Sequence, residues 1–344
     1  EAFDAAEPGE TVYLQAGDYR LNGVTQGGGE AGAPIEITGP EDAVLRAREG
    51  GTPVFTIIHS HVHVTGCTFD GLADESRQWQ DPEAWSRTVA RVTPGPRYES
   101  AGVDYLEDVV FEPHAMRNAG STFVHVERTR DASLGDFTVT GPAGGEFHPE
   151  MSDPLESHIG HLFQVGSSPP TIRDYKSWDG LDRTRDVRIH HVDNSAGYHH
   201  SSLASVRIGC EAVTVEYCTD RNAGNETSGQ EIVAAVAVGG NNCTIRGNDF
   251  GDCRQGVVLG AWAPSDEHDA TDWARNNDVY SNRFQGVETA TFEFFDTSPE
   301  AQRTLCDNRL VGVENGDYEY ATSACGEDVS AVDGIGHSAG QSSE

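Results

Sequence analysis

The sequence has little positive charge, almost no lysine and no long apolar run. Its 344 residues include 56 Asp and Glu against 23 Lys and Arg, which gives a formal net charge of −33. Lys176 is the only lysine. This charge disfavours nucleic acid and other polyanions as partners. Because no apolar run approaches the length that a bilayer requires, a membrane span is not expected.

The acidic residues are spread along the chain among regularly spaced apolar residues, which is not typical of a disordered acidic tail. Salt weakens the repulsion between like charges, since the screening length shortens to about 3 Å near 1 M. The acid excess and the scarcity of lysine therefore predict a salt-adapted protein, with a haloarchaeon or a haloarchaeal virus as its source.

The cysteines follow no metal-binding spacing. None of the seven forms a CxxC pair, which disfavours a zinc ribbon or a thioredoxin-type motif. Most of them cluster toward the C-terminus, as disulfides of extracellular proteins do. We expect disulfides between Cys243 and Cys253 and between Cys306 and Cys325. Buried free thiols are the alternative.

An extracellular or cell-surface location is expected. Sequons at Asn225 and Asn242 permit N-glycosylation of an exported chain. The chain opens on EAFDAAEPG with no signal-peptide pattern. We therefore expect a mature or trimmed product whose export signal is not in this sequence.

A short motif recurs along the chain: an apolar residue, a small or polar residue three positions on, and often another apolar residue two further on. In the clearest copy these are Ile245, Asn248 and Phe250. The other copies are Val64/Cys67/Phe69, Ile189/Val192, Val215/Cys218, Val279/Asn282/Phe284 and Leu305/Asn308/Leu310. Each copy predicts a short strand, a one-residue corner and a second short strand, with corner asparagines bonded along the axis. The repeat predicts an all-β parallel β-helix, a solenoid whose rungs pack on their neighbours.

We expect one domain over residues 1–344, with an N-terminal cap over 1–15, a long loop insertion over 72–120 and a C-terminal cap or tail over 315–344. The opening EAFDAAEPGETVYLQAGDYR predicts a capping helix, a turn and a first strand. It closely resembles the entry of the pectate-lyase-like superfamily, and with the rungs the resemblance extends from Glu1 to about Val313. The resemblance implies a right-handed, single-stranded β-helix with long corner loops. That scaffold hosts lyases, hydrolases, epimerases, viral tailspikes and adhesins.

The stretch SGQEIVAAVAVGGNNCTIRGNDFGDC, residues 228–253, is similar to the region of alginate lyases and chondroitinase B built around an acidic residue, a lysine base and a later arginine. Glu231 matches the acidic residue that helps those enzymes to hold calcium, and Asn225 and Glu226 lie nearby. The resemblance therefore implies a calcium site at these three residues. The position of the lysine falls near Val236, and the next rung has no arginine or histidine, so both catalytic groups of that family are absent.

The segment RDYKSWDGLDRTRDVRIHHVDNSAGYHHSS, residues 173–202, concentrates basic and aromatic side chains. A polysaccharide lyase needs a base and a cation that neutralises the substrate carboxylate. This segment predicts a uronate groove of Lys176, Arg183 and Arg185, with Tyr198 or His199 as the base. The alternative is a salt-bridged loop whose basic residues balance the acids around them.

The stretch HSHVHV predicts a second cluster. His59, His61 and His63 alternate, and three imidazoles on one strand face could bind zinc or copper. A corner at Ser60 would separate His59 from the other two, and an exposed polar row is the alternative. A weaker candidate is the pair His158 and His161.

Two classes of function are consistent with the sequence. It favours a non-catalytic structural or adhesive β-helix of a cell surface, filament or viral spike, because the lyase-like rung lacks its base and solenoid ends can stack head to tail. The alternative is a secreted polysaccharide lyase or epimerase that acts on an acidic uronate polysaccharide. Both imply an acidic polysaccharide or cell-surface glycan as partner, and the sequence leaves open whether the protein is an enzyme.

Overall fold

A computed structural model describes residues 5–72, 85–94, 105–143, 160–166, 184–198, 200–223, 234–260, 273–295, 297–312 and 319–325. Over these ranges the chain is a right-handed parallel β-helix, as predicted. Successive strands enter three parallel sheets in a fixed order, so each rung adds one strand to sheet A, then to sheet B, then to sheet C. No helix in these ranges combines the length and the apolar character that a bilayer span requires.

The strands are numbered in chain order. Sheet A contains β1 Thr11–Tyr13, β4 Ile35–Thr38, β7 Val62–Thr65, β10 Leu106–Glu112, β13 Thr129–Gly135, β16 Arg185–His190, β19 Thr214–Glu216, β22 Thr244–Arg246, β25 Asp278–Tyr280 and β28 Thr304–Cys306. Sheet B contains β2 Gly17–Leu21, β5 Ala43–Ala47, β8 Thr68–Asp70, β11 Ala115–Arg117, β14 Thr138–Val139, β17 Asp193–Asn194, β20 Thr219–Arg221, β23 Asp249–Gly251, β26 Arg283–Gln285 and β29 Arg309–Val311. Sheet C contains β3 Gly23–Val24, β6 Phe55–Ile57, β9 Thr88–Val92, β12 Thr122–Val126, β15 His161–Val165, β18 Ser202–Val206, β21 Ala234–Val238, β24 Gln255–Gly260 and β27 Ala290–Phe295. A 3-10 helix covers Pro299–Ala301, and the helix α1 covers Glu319–Thr322.

The predicted repeat matches the passage from sheet A to sheet B. Ile245 lies in β22, Phe250 lies in β23, and both side chains are fully buried. The corner between them contains two residues, Gly247 and Asn248, so the prediction of a one-residue corner is wrong. The first corner residue has a left-handed φ of +64° at Gly247. This conformation turns the chain sharply and lets Asn248 point inward.

The corner asparagines form the predicted ladder along the axis. The amide of Asn248 donates from Nδ2 to Oδ1 of Asn282 at 2.9 Å, and Asn282 donates to Oδ1 of Asn308 at 3.0 Å. Each Oδ1 also accepts a bond from the backbone N–H of the asparagine one rung below, at 3.1 Å in both cases. Asn308 ends the ladder by donating to the carbonyl of Ala321 at 3.0 Å.

The range 72–120, predicted as one long loop, contains the strands β9, β10 and β11, and their alternating buried residues add to the core. The long connections between these strands concealed the repeat from sequence inspection. At the N-terminus, strand β1 follows the Pro8–Gly9 turn as predicted. The capping helix before it falls largely on residues 1–4, outside the described ranges, and remains a prediction.

A disulfide bond stabilises the C-terminal end of the described chain. Cys306 and Cys325 form a disulfide, the pairing predicted for them. Cys243 and Cys253 are buried free thiols, so the disulfide predicted between them is wrong. Cys243 is a corner residue before sheet A and Cys253 lies between sheets B and C, and both side chains point into the core, at 1% exposure each. The sequon residue Asn242 is exposed, whereas Asn225 lies outside the described ranges.

Candidate functional site

Long connections lead into and out of sheet C. The corners from sheet A to sheet B stay short in every rung, whereas the segments 71–87, 140–160 and 222–233 enter sheet C and the segments 93–105, 166–184 and 261–277 leave it. Binding and catalytic groups concentrate where loops border a rigid scaffold. A functional site is therefore expected on the outer face of sheet C.

One outward-pointing row crosses this face. Each member lies between two residues that point into the core, so its own side chain points outward. In register, the row is Thr56, Arg91, His125, Gln164, Ser205, Ala237, Val258 and Glu293. Five polar members occupy consecutive rungs from Thr56 to Ser205, and a sixth, Glu293, ends the row. Gln164 and Ser205 in this row are buried, at 8% and 2% exposure.

Charged groups meet at the third and fourth strands of sheet C, β9 and β12. Arg91 donates from Nη2 to Oε2 of Glu127 at 2.8 Å, and Nε2 of His125 lies 3.4 Å from Oε1 of the same carboxylate. Burial alone would raise the pKa of Glu127, but the charges of His125 and Arg91 outweigh it and lower that pKa. Burial also lowers the pKa of His125, which favours its neutral form.

His161 begins the next strand, and its imidazole has no hydrogen-bond partner among the described residues. Both ring nitrogens are buried and unpaired, and the residue is 4% exposed. Burial lowers its pKa well below the ordinary value of 6.5, and the charges of Arg207, His200 and His125 lower it further. His161 is therefore neutral at neutral pH, with one ring nitrogen able to accept a proton.

Arg207 follows β18, and its charge lowers the pKa of His161. Its Nε atom is buried without a partner, and burial lowers the pKa of its guanidinium to about 10. No carboxylate in the part of the chain that the structure describes forms an ion pair with it. We call the five residues Arg91, His125, Glu127, His161 and Arg207 the sheet C cluster.

A buried ion pair supports the cluster from the rung above. His200 Nε2 lies 2.9 Å from Oδ2 of Asp220, and Nδ2 of Asn194 donates to the other carboxylate oxygen at 2.9 Å. Burial lowers the pKa of His200, but the charge and hydrogen bond of Asp220 outweigh it, so the net shift is upward. The pKa of the neighbouring His161 shifts downward instead, because no carboxylate of the described residues contacts its imidazole.

The predicted uronate groove is only partly within the described residues. Lys176, Arg183 and His199 lie outside them. Arg185 begins β16 in sheet A, is half-exposed and lies 3.6 Å from Asp186. Tyr198 is 37% exposed and lies on the connection from sheet B to sheet C. No hydrogen bond or contact joins these last two among the described residues, so the groove remains a prediction.

The predicted three-histidine metal site does not form. His61 Nδ1 and His63 Nε2 each lie 2.9 Å from a different oxygen of Asp108, so both imidazoles share one carboxylate. His59 instead lies 3.0 Å from Oγ1 of Thr25. Strand β7 begins after Ser60, and the turn before it separates His59 from the other two.

The register explains the missing base of the lyase-like rung. Val236 is fully buried and pairs with Ala204 and Val257 in the core-facing row. The outward neighbour is Ala237, so the strand β21 offers no polar group to the outer face. The candidate calcium ligands Asn225, Glu226 and Glu231 lie outside the described residues. Of the weaker pair, His158 also lies outside, whereas His161 is in the sheet C cluster.

Sequence reasoning missed most of this cluster. Only His125 and Arg91 carry a local signal, because each alternates with two apolar neighbours and so must leave the core. Arg91, Glu127 and Arg207 come from separate rungs, and only the register brings them together.

Comparison with solved structures agrees with this architecture. An alginate lyase from Paenibacillus sp. str. FPU-7 superposes with a TM-score of 0.61 at 15% identity, over 90% of this chain and 93% of the other. The chain has the fold of this right-handed parallel β-helix protein. Also similar are the A-module of a mannuronan C-5 epimerase from Azotobacter vinelandii (TM-score 0.37, 15% identity, 89% and 88% of the two chains) and the tailspike of E. coli bacteriophage HK620 (0.38, 15%, 73% and 39%). No family model and no curated protein matches the sequence.

Proposed function

We propose that the protein cleaves an acidic, uronate-containing polysaccharide by β-elimination at the sheet C cluster. One observation carries the proposal: both ring nitrogens of His161 are buried without partners, as is Nε of Arg207, whose charge lowers the pKa of that imidazole. Buried polar groups without partners cost free energy. A substrate that supplies a carboxylate to Arg207 and hydroxyls to the rest of the cluster would satisfy them.

The chemistry assigns a role to each group. Arg207 pairs with the uronate carboxylate and acidifies the proton on the adjacent carbon. Neutral His161 takes that proton onto a ring nitrogen. The electron pair of the broken C–H bond forms a carbon–carbon double bond, and the glycosidic oxygen on the next carbon leaves and takes a proton from water. Because His161 is 4% exposed, the reaction requires the substrate to reach a buried imidazole.

The similarly folded Paenibacillus protein is an alginate lyase, which favours this reaction class for the scaffold. An epimerase would use the same proton abstraction and return a proton to the opposite face of the sugar. A structural or adhesive β-helix, which the sequence favours, would bind a glycan without changing it. A neutral imidazole whose pKa is lowered by a nearby charge favours the lyase, since binding alone needs no base.

The test is a turnover assay at molar salt with alginate, pectate, chondroitin and haloarchaeal exopolysaccharide, with and without calcium. We expect the ultraviolet absorbance of unsaturated uronate to rise on at least one substrate. C5 inversion in the proton NMR spectrum without that absorbance would indicate an epimerase. Binding without either change would support the adhesive role and overturn the proposal.

Three finer properties belong to the same proposal. The enzyme acts outside the cell, it works in high salt because of its charge of −33, and it uses calcium bound at Asn225, Glu226 and Glu231. Removal of calcium by a selective chelator should lower turnover if the last point holds. Head-to-tail assembly of the solenoid is checked by electron microscopy of the same sample.

A further inference from the structure

Three metal-ligating side chains converge on the outer face of sheet A, away from sheet C. Nδ1 of His190 lies 3.0 Å from Nδ1 of His191, and Oδ1 of Asp136 lies 3.8 Å from each of these nitrogens. Within the described ranges, this is the one group of three His, Cys, Asp or Glu ligand atoms that lie close enough together to share an ion.

The solenoid repeat brings these residues together. Asp136 and His191 occupy the same first corner position on consecutive rungs, with left-handed φ values of +50° and +48°. His190 ends β16 and pairs with Gly135 on the rung below. A Cβ added to Gly135 would collide with the carbonyl oxygen of His190, so only glycine permits this approach. The N–H of Asp136 donates to that same oxygen at 3.0 Å.

The opposite side of the His190 ring is already bonded. Its Nε2 lies 2.8 Å from Oγ of Ser133 and 3.2 Å from Oε1 of Glu112, and Ser133 donates to that carboxylate at 2.8 Å. Nε2–H is therefore the donor, which leaves Nδ1 of His190 with a free lone pair. A carboxylate-linked partner on the far nitrogen is the usual arrangement of a metal-binding histidine. The ring of His191 stacks on Tyr217 with centroids 5.5 Å apart, which orients its own Nδ1.

We propose that Asp136, His190 and His191 bind a divalent transition-metal ion, of which zinc fits best, through one carboxylate oxygen and two Nδ1 atoms. In a tetrahedral zinc site with Zn–N bonds of about 2.0–2.1 Å, ligand atoms lie a little over 3 Å apart. The two imidazole nitrogens already have that spacing, and Asp136, whose side chain is 53% exposed, is free to turn inward. The carboxylates of Asp136 and Glu112 balance the charge of the ion. Three protein ligands leave one position open for water or a substrate oxygen.

The site is independent of the proposed lyase reaction. It lies on sheet A at the corner to sheet B, whereas the sheet C cluster lies on the other side of the same rungs. Its ion would bind and tie two rungs together whether or not the protein cleaves a polysaccharide.

The test uses tag-free, chelator-treated protein. Zn²⁺ is titrated calorimetrically, and Co²⁺ is added to detect the visible absorption of a tetrahedral nitrogen and oxygen site. We expect one tight binding event, and a loss of affinity of tenfold or more, on the order of that seen for ligand or supporting mutations, in both D136N and H191A. D136N retains a residue type that accepts left-handed φ, so it separates metal loss from misfolding.

The matched control is H63A, which removes a histidine from a pair that shares one carboxylate without a third ligand. Its affinity for Zn²⁺ should equal that of the unaltered protein. Absence of binding by the unaltered chain, or equal loss in H63A and H191A, would overturn the site. In that case the 3.0 Å contact between the imidazoles is a shared proton rather than a metal site.

Discussion

Nε2 of His200 lies 2.9 Å from Oδ2 of Asp220, and neither side chain has exposed surface. Burial of an ion pair is costly unless the remaining polar atoms are bonded. Here Asn194 donates to the second carboxylate oxygen, and Nδ1 of His200 lies 3.0 Å from the carbonyl of Tyr198. The pair joins the sheet B strand β20 to the start of the sheet C strand β18, which leads to Arg207.

This pair predicts a specific pH dependence of stability. The folded pKa of His200 is raised above 6.5, so the folded protein binds that proton more tightly than the unfolded chain. The stabilisation is fully present below pH 6.5 and is lost as the pH rises through the folded pKa. Urea unfolding between about pH 5.5 and 9 should show the advantage of the unaltered protein over D220N shrinking as pH rises.

The comparison with D220N is needed because His125 and His161 change the pH dependence of stability in the opposite direction. Their folded pKa values are lowered, so they destabilise the fold as the pH drops below 6.5. Both variants share that effect, and the difference between them isolates His200. A gap that is constant over the whole range would mean that the pair does not titrate with folding.

Loss of the proposed base should abolish turnover. We expect H161Q to lower kcat by about 10²–10⁴-fold, the usual contribution of a general base. In the unaltered protein, the acid limb of kcat/KM should fall below pH 6.5, because burial lowers the pKa of His161. H114Q is the control, since His114 is half-exposed and contacts Glu41 on another face. Equal activity of H161Q and H114Q would remove His161 from the reaction.

The asparagine ladder should be a major source of stability. Asn282 donates to Asn308 and to the carbonyl of Ile245 and accepts two bonds from Asn248. N282A leaves these buried partners unsatisfied, and we expect it to lower the free energy of unfolding by about 2–3 kcal/mol. Q285A removes an exposed amide of the same rung and should change it by less than about 0.5 kcal/mol. If calorimetric unfolding showed equal losses of free energy for N282A and Q285A, the ladder would not be a major source of stability.

The ladder also shows how much of the fold can be predicted from the sequence. Ile245, Asn248 and Phe250 repeat because the passage from sheet A to sheet B is nearly constant, so local periodicity predicts both strands and the bonds between corner asparagines. Sheet C is different. Connections of variable length surround its strands, and the spacing from one strand to the next carries no fixed period.

The same difference explains why the candidate site was mostly missed. Arg91, His125 and Arg207 are far apart in sequence and become neighbours only through the sheet C register. The sequence drew attention instead to Val236, whose position turned out to face the core. The metal-ligating group of Asp136, His190 and His191 likewise depends on the equivalence of two corners, which needs the rung boundaries.

The cysteine chemistry is checked by counting thiols. Burial raises the pKa of Cys218, Cys243 and Cys253 to about 12 each, so native protein should not react with thiol reagents at these residues. Denatured, unreduced protein should expose five free thiols. A count of three would show a second disulfide among these five cysteines, and peptide mapping would then test the Cys243–Cys253 pairing.

Salt should decide whether the chain stays folded. With a net charge of −33, repulsion is distributed over the whole solenoid, and the screening length grows from about 3 Å at 1 M salt to about 30 Å at 0.01 M. We therefore expect the thermal midpoint to fall steadily as NaCl is removed. Sodium sulfate separates screening from preferential exclusion, because exclusion stabilises proteins of any charge. If sulfate stabilises the protein and NaCl does not, the acid excess is not an adaptation to salt.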